Sequence, residues 1–449
     1  MQRREFVKSS ALAAAGASLF PSSFFAPPDT KIKLAIIGTG LRGQTHLSNV
    51  LRRNDTEIVA ICDIDDSMLE MARNEIKKSG RAMPQVFRGD PHAYRKMLEL
   101  KNIDAVLIAT PWEWHTPMIL DSLGAGIKYV ATEVVLGITL QDHLDVVREA
   151  ERQGAHVMML ENVCYRRDVM AILNMVRQGL FGELLHMQAG YQHDLRNVKF
   201  NNGAAENNVG AEFGEKAFSE ARWRTHHSVY RNGDLYPTHG VGPVSTMLNI
   251  NRGNRFLSLS SFATKSRGLH NYIVEKGGPN HPNAKVIFKL GDIVTTHIKC
   301  ANGETILLQH DTNNPRPYSL GFRVQGTKGI WMDVNKSLYI EGISVKPDEW
   351  EAAQPYLDKY DHPLWQRWSK STEGAGHGGM DFFVLHAFIE SIKRKVPTPL
   401  DVYDAAAWSA ITPLSEMSVD LGNQTVEFPD FTSGQWMYRK NEFSLNDEF

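Results

Sequence analysis

After Pro27 and Pro28 the chain falls into alternating apolar and amphipathic blocks. "KLAIIG" is a short unbroken apolar run closed by glycine, the pattern of a strand buried on both faces of a parallel sheet. "EIVAICD", "DAVLIATP", "KYVATEV" and "HVMMLEN" repeat that pattern. Between them "SMLEMARNEIKKSG" and "TLQDHLDVVREAERQG" carry apolar residues at helical spacing, and the first stops on a glycine suited to the turn after a helix. Strand–helix–strand alternation to about residue 163 predicts a doubly wound parallel sheet. Ligands bind beyond the carboxyl ends of the strands in such sheets.

The pattern then changes. "RRDVMAILNMVRQGLFG" predicts a helix and "ELLHMQAGYQHD" a strand. Residues 196–222 are polar and rich in glycine and asparagine, which predicts a long loop of the kind that is functional or mobile. "FLSLSSFA", "KVIFKL", "IVTTHIKC", "ETILLQHDT", "LGFRVQG" and "KGIWMDV" predict an open, mostly antiparallel sheet. "GGMDFFVLHAFIESIKRK" and "DVYDAAAWSAITPLSEMSVDLG" predict helices towards the C-terminus. The expected fold class is α/β. A Rossmann doubly wound parallel sheet occupies residues 31–163, an α+β domain with an open sheet occupies 164–449, and the site lies between them. Residues 1–30 stand apart as a leader and linker.

A chain of 449 residues suits two domains better than one core. With 42% hydrophobic and 22% charged residues the composition is that of an ordinary globular protein, and a net charge of -2 carries no broad footprint for nucleic acid. Cys62, Cys164 and Cys300 are too few and too scattered for a disulfide framework or a zinc site. His226 and His227 have no matching cysteine, histidine or carboxylate cluster, so they read as loop histidines and no catalytic metal is expected.

The leader, "MQRREFVKSSALAAAGASLFPSSFFAPP", sets Arg3 and Arg4 ahead of an alanine-rich, weakly apolar run too short to span a bilayer. It resembles a twin-arginine export signal. That implies handling by the twin-arginine export machinery, passage of a folded protein and a periplasmic destination. No other segment is long and apolar enough for stable membrane insertion.

"GTGLRG" places Gly38, Gly40 and Gly43 as G-x-G-x-x-G, directly after a strand and opening a helix. The first glycine permits the tight turn, the second lets a pyrophosphate approach the main chain, and the third allows helix and strand to pack closely. Asp63 follows 20 residues beyond Gly43, at the end of "EIVAICD". A carboxylate there bonds ribose hydroxyls and repels a 2′-phosphate, which selects NAD over NADP. Leu41 and Arg42 complete the loop, Arg42 either offsetting phosphate charge or solvated. Later strand ends add Trp112, Glu113, Trp114 and His115 from "ATPWEWHTP", Glu133 and Val134 from "TEVV", and Asn162 from "EN". Trp114 reads equally well as packing between domains.

"GDLYPTHGVGP" holds Tyr236 and His239 three residues apart. His239 reads as a base, since imidazole as a side-chain type exchanges protons near neutral pH. Pro237 stiffens the segment, and Gly240 and Gly242 leave room beside the histidine for a ligand. "STMLNI" behind it reads as helix.

The glycine fingerprint, "TPWEWH" and the change of pattern near residue 165 resemble the glucose–fructose oxidoreductase and inositol dehydrogenase superfamily. Most of its members carry Glu-Lys-Pro after the fifth strand, with the lysine assisting proton transfer. Here "TEVVLG" keeps Glu133 and puts Val134 in the lysine's place. "ENVCYRRDVMAILNMVRQGLFGE", "GYQHDLR", "FSEARWRT", "GDLYPTHG", "INRGNRF", "NPRPYSLGFRVQGTKGIW" and the twin-arginine start are together similar to glycoside hydrolase family 109 over nearly the whole chain. These are bacterial NAD-dependent α-N-acetylgalactosaminidases. The resemblance implies cofactor contacts at Leu41, Arg42, Asp63, Trp112, Glu113, Trp114, His115, Glu133, Val134 and Asn162. It implies sugar contacts at Tyr191, Arg224, Tyr236, His239 and Tyr318, and Thr238 joins them beside His239.

The family's chemistry implies a redox-neutral cycle on terminal α-linked N-acetylgalactosamine. Hydride and proton leave C3, a proton leaves C2, the glycosidic oxygen is eliminated, water adds at C1 and the hydride returns. His239 is the expected base at the C3 hydroxyl. Tyr191 or Tyr236 takes the C2 proton, with Tyr191 preferred and Tyr236 then a sugar contact, provided a cation or imidazole lowers a phenol from its usual value of about 10. Arg224 anchors a hydroxyl or the N-acetyl carbonyl, and Tyr318 closes the pocket. No persuasive pair of carboxylates of the kind ordinary glycosidases use stands out; Asp194 and Asp234 lie near these segments, and chain order leaves open whether they face each other. Two other readings stand beside this one: an exported NAD-dependent sugar or cyclitol dehydrogenase, and a non-catalytic, NAD-stabilised sugar-binding protein. A homo-oligomer is a further expectation, since open sheet faces in the superfamily often bury a partner subunit.

Overall fold

A computed structural model describes residues 31–205 and 208–449. The leader read as an export signal lies outside the described residues. Strands β1 (Ile32–Ile37), β2 (Thr56–Cys62), β3 (Gln85–Phe87), β4 (Ala105–Ile108), β5 (Tyr129–Thr132) and β6 (His156–Met159) form one sheet in the order β3-β2-β1-β4-β5-β6. Every pairing in it is parallel. Leu34, Ala35, Ile36 and Ile37 are buried because the sheet is covered on both faces, which is why the run is apolar without alternation. Strand β3 makes no such run. It is an edge strand, paired on one side only, with Val86 exposed.

Helix α1 (Leu41–Leu51) follows β1 and helix α2 (Trp112–Gly124) follows β4. The strand order reverses between β1 and β4, so the helix starts face a shared crevice.

The second sheet has nine strands. They are β7 (Leu184–Gln192), β8 (Phe256–Ala263), β9 (Ile293–Cys300), β10 (Thr305–Asp311), β11 (Arg323–Gly326), β12 (Gly329–Met332), β13 (Ser337–Ile340), β14 (Glu351–Ala352) and β15 (Val426–Glu427), in the order β14-β13-β12-β11-β7-β10-β9-β8-β15. Only β7 and β10 pair in parallel; the other pairings are antiparallel. The stretch "KVIFKL" is a correction, because it joins no sheet. Val286 and Phe288 turn into a small cluster with Phe200 and Tyr272, while the amides of Lys289 and Leu290 donate to carbonyls of Val229 and Ser228.

Helix α3 (Arg224–Tyr230) carries His226 and His227, which are therefore helical rather than loop residues. Helix α4 (Thr238–Met247) packs on β7, and starts at Thr238, a full two turns before the segment read as helix. Helices α5 (Met380–Arg394) and α6 (Val402–Asp420) run back to the first sheet, α5 against α1 and α6 against β6. No helix among the described residues is long and apolar enough to cross a membrane.

Candidate active site

A single cavity of about 540 Å³ runs from the ends of β1, β2 and β4 to Tyr191, Arg224, Tyr236 and His239. That size suits a cofactor or small-molecule site. The three glycines of the fingerprint each do a different job at its near end. Gly38 has φ +87°, and a Cβ there would meet the Ala109 carbonyl oxygen at 2.4 Å. A Cβ on Gly43 would meet the Gly38 carbonyl oxygen at 2.1 Å, so this glycine lets α1 press on the strand end. A Cβ on Gly40 would meet nothing within 4 Å, and Gly40 lines the cavity. The main chain there is open to a ligand.

Gly40 is also the N-cap of α1, with no side-chain cap and no acid in the first turn. Unpaired amides and the positive helix end thus face the cavity, the setting that holds a pyrophosphate. Asp63 is fixed by its own loop: Oδ2 accepts from the Thr39 amide at 2.5 Å and Oδ1 from the Asp65 amide at 2.9 Å. Asn162 lines the cavity, donates through Nδ2 to Asp381, and leaves Oδ1 without a partner among the described residues. An uncapped helix end, a carboxylate after the second strand and an orphaned amide oxygen fit a dinucleotide with diphosphate, ribose and carboxamide groups.

Arg42 is not solvated. Its guanidinium donates to Glu133 at 2.6 Å and forks onto both oxygens of Asp381 at 2.8 Å. Burial works against the charge of Glu133, yet Arg42 and His46 pull its carboxyl down to about 2. Val134 is buried in the cavity wall and presents only methyl groups where the resemblance places a lysine.

The Trp112–His115 turn divides. Trp112 and Trp114 line the cavity; Glu113 and His115 are not among its lining residues. Both ring nitrogens of buried His115 face main-chain carbonyls, of Val135 at 2.5 Å and Thr110 at 2.8 Å, so the imidazole locks the turn and has nothing left for a cofactor. Glu113 instead pairs with His227 at 3.6 Å. Packing between the two sheets' domains falls to Trp112, whose ring meets Trp223, His227 and Tyr236.

At the far end His239 points Nδ1 at Glu161, 2.7 Å from Oε1 and 2.9 Å from Oε2. The carboxylate of Glu161 has no solvent exposure. A carboxylate only accepts, so Nδ1 carries the proton and neutral His239 presents a bare Nε2. Nε2 has no protein partner among the described residues, and His239 lines the cavity. Tyr191, Tyr236 and His239 form a tight aromatic group, with ring centres 4.7 Å, 5.0 Å and 5.5 Å apart. Arg224 stacks its guanidinium over Tyr236 at 4.8 Å and over Trp112 at 5.2 Å. Burial pushes both phenols above their ordinary value, and Arg224 only partly opposes this. The Tyr191 hydroxyl shares a hydrogen bond with His193 Nδ1 at 3.0 Å. Burial, then Arg224, lowers His193, which keeps that imidazole neutral and makes it a weaker base than an ordinary one.

Thr238 is fully buried and Tyr318 is half exposed; neither lines the cavity. Tyr318 stands over His193, ring centres 4.8 Å apart. Asp194 is held by both Arg196 nitrogens, and Asp234 is sealed beneath Tyr236. Gly240 and Gly242 leave no ligand space. A Cβ on Gly240 would meet the Gly190 amide at 2.5 Å, and one on Gly242 would meet Glu161 Cγ at 3.0 Å. The room is taken by β7 and by the carboxylate that holds His239. Among the described residues no group of three or more His, Cys, Asp or Glu is placed to hold a metal ion.

The glycosyl hydrolase 109 C-terminal domain matches residues 165–438, and the oxidoreductase-family NAD-binding Rossmann fold matches residues 32–161. A glycosyl hydrolase family 109 protein of Stenotrophomonas maltophilia is 57% identical over all of this chain and 99% of the relative. The chain belongs to glycosyl hydrolase family 109. An α-N-acetylgalactosaminidase of Tannerella forsythia is 54% identical over 93% of this chain and 90% of the relative. An NAD-binding oxidoreductase of Klebsiella pneumoniae shares the fold, with a TM-score of 0.67 at 15% identity, over 89% of this chain and all of that one. This family 109 chain is thus a glycoside hydrolase on an NAD-binding Rossmann frame.

Sequence reasoning passed over Glu161, His193, His377 and Asp381. Glu161 stood beside Asn162 in "EN" and His193 in "GYQHD", both inside quoted segments, but a pairing across 78 residues leaves no local signal.

Proposed function

We propose that this chain is an α-N-acetylgalactosaminidase that cleaves terminal α-linked N-acetylgalactosamine by a redox-neutral route with tightly held NAD. One observation carries the reading: the dinucleotide loop and a carboxylate-held histidine share a cavity. The named relative of Tannerella forsythia supports the choice of sugar. When bound, NAD supplies the acceptor and donor of hydride at C3.

His239 Nε2 takes the proton of the C3 hydroxyl, and Glu161 stabilises the imidazolium that results. The C3 ketone makes the C2 hydrogen acidic. Tyr191 is the base that removes it, acting as the phenolate with its oxygen beside His193 Nδ1. Arg224 stabilises the phenolate through its charge. Tyr236 shapes the sugar site from beside Arg224. Elimination then releases the aglycone, water adds at C1, and the proton transfers run in reverse. No free carboxylate pair is needed, and the cavity's Glu133 and Glu220 are neutralised by Arg42 and Arg224. Export by the twin-arginine route, folded and with NAD in place, belongs to the same reading, as does a periplasmic location.

Purified protein is given p-nitrophenyl α-N-acetylgalactosaminide without added NAD. The expected result is release of nitrophenol with no accumulation of NADH. Activity that needs added NAD and accumulates NADH would replace this reading with a dehydrogenase, and silence on both counts would overturn it.

A further inference from the structure

We infer that His377 is a cofactor-retaining residue: it reaches from the C-terminal half onto the dinucleotide cavity and holds the bound NAD in place. The inference rests on the proposed tight binding of NAD and names the residue that enforces it.

His377 lines the same cavity as Gly40, Arg42 and Asn162, although more than 200 residues of chain separate it from all three. Its Nδ1 lies 2.7 Å from Asp381 Oδ2 and 3.2 Å from Arg42 Nη1. Asp381, whose side chain is fully buried, also takes the fork of Arg42 and the amide of Asn162. One carboxylate thus ties the start of α1, the end of β6 and His377 together. Burial opposes charge on Asp381, but the hydrogen bonds of Arg42 and His377 hold it far below the ordinary carboxylate range. The anchor stays ionised at any working pH.

The imidazole itself is not packing. Its side chain is 53% exposed, and Nε2 has no partner among the described residues. The main chain around it is wound tightly to present it. A Cβ on Gly376 would meet Asp381 Oδ2 at 2.7 Å, one on Gly379 would meet Thr372 Cβ at 2.5 Å, and both glycines have positive φ. With Nδ1 donating to Asp381, Nε2 of the neutral ring is left as an acceptor at the cavity, able to take a hydrogen bond from a ribose hydroxyl or the carboxamide of the cofactor. A hydrolase with a redox-neutral cycle has no use for cofactor exchange, so a contact that slows release is functional there.

The test measures NAD in the purified holoenzyme after denaturation, and its release rate when the holoenzyme is diluted into an NAD trap. Wild type, His377→Ala and His377→Gln are compared, each with the unfolding midpoint of its NAD-free form. NAD release at least about tenfold faster in His377→Ala, with the NAD-free midpoint unchanged and partial recovery in His377→Gln, is expected. Equal release rates overturn the inference. Faster release that tracks a lowered NAD-free midpoint assigns His377 a structural role and also overturns it. A wild-type protein that keeps no NAD through purification overturns the tight-binding reading itself, an outcome read before any variant is made.

Discussion

His239 Nδ1 sits 2.7 Å from Glu161 Oε1, on a carboxylate that water does not reach. This pairing fixes the tautomer and points the basic nitrogen at the cavity. Glu161→Gln removes the acceptor without changing volume. The turnover number should fall by about 10²–10⁴-fold while KM and bound NAD hold steady. A steady-state assay with parallel NAD quantification checks this. Loss of NAD along with activity would make Glu161 a structural residue.

The two tyrosines separate by isotope exchange. Turnover in heavy water should place deuterium at C2 of the sugar. Tyr191→Phe should lower both exchange and turnover by about 10²–10⁴-fold. Tyr236→Phe should act mainly on KM, because its ring lies against Arg224 and its hydroxyl has no histidine partner. The reverse pattern would move the C2 base to Tyr236.

Asp381→Asn breaks a buried, forked ion pair with Arg42 and leaves Glu133 as the carboxylate partner of Arg42. Removing one partner of a buried pair costs about 3–5 kcal/mol. Urea unfolding of the NAD-free protein should show that loss, and a change under about 1 kcal/mol would mean that water replaces the carboxylate.

Asp234 gives the protein a pH-sensitive stability. Burial raises its carboxyl from the usual 3.8 to about 7, with only the Tyr236 amide opposing. Between those values the folded protein holds a proton that the unfolded chain has released. Stability is therefore full below about pH 4 on this account and falls as pH rises towards 7, by up to about 4 kcal/mol. Asp234→Asn cannot ionise, so its unfolding midpoint should exceed that of the parent above about pH 7 and lose this dependence. Parallel curves for the two proteins across that range would refute the assignment.

Gly240→Ala tests the close approach of α4 to β7. The new methyl would lie 2.5 Å from the Gly190 amide, so the helix must move. Overpacking of this kind costs about 1–3 kcal/mol. Turnover should fall further than stability, because Tyr191 follows Gly190 and His239 precedes Gly240.

The parallel sheet, the glycine loop and Asp63 are legible in the chain because each depends on neighbours within a strand or a turn. An apolar run has the same meaning whatever lies across the sheet, and Gly38, Gly40 and Gly43 act on one strand–helix junction. Tyr191, Arg224, Tyr236 and His239 are legible by family likeness, and the fold brings them to one cavity wall. What each does is another matter. The residues that orient them, Glu161 on His239 and His193 on Tyr191, carry no local pattern that marks them as partners. Gly240 and Gly242 look in sequence like ligand space; packing gives that space to β7 and Glu161. In sequence Arg42, which lines the cavity, looks like an unattached cation and His115 like a cofactor contact, but a side chain's partner is set by what the rest of the chain brings within about 3 Å. For Arg42 that is Asp381, 339 residues away, and for His115 it is two carbonyls of its own domain. Local order thus determined the frame and the cofactor loop, while long-range packing decided which polar atoms are spent on the fold and which remain for the substrate.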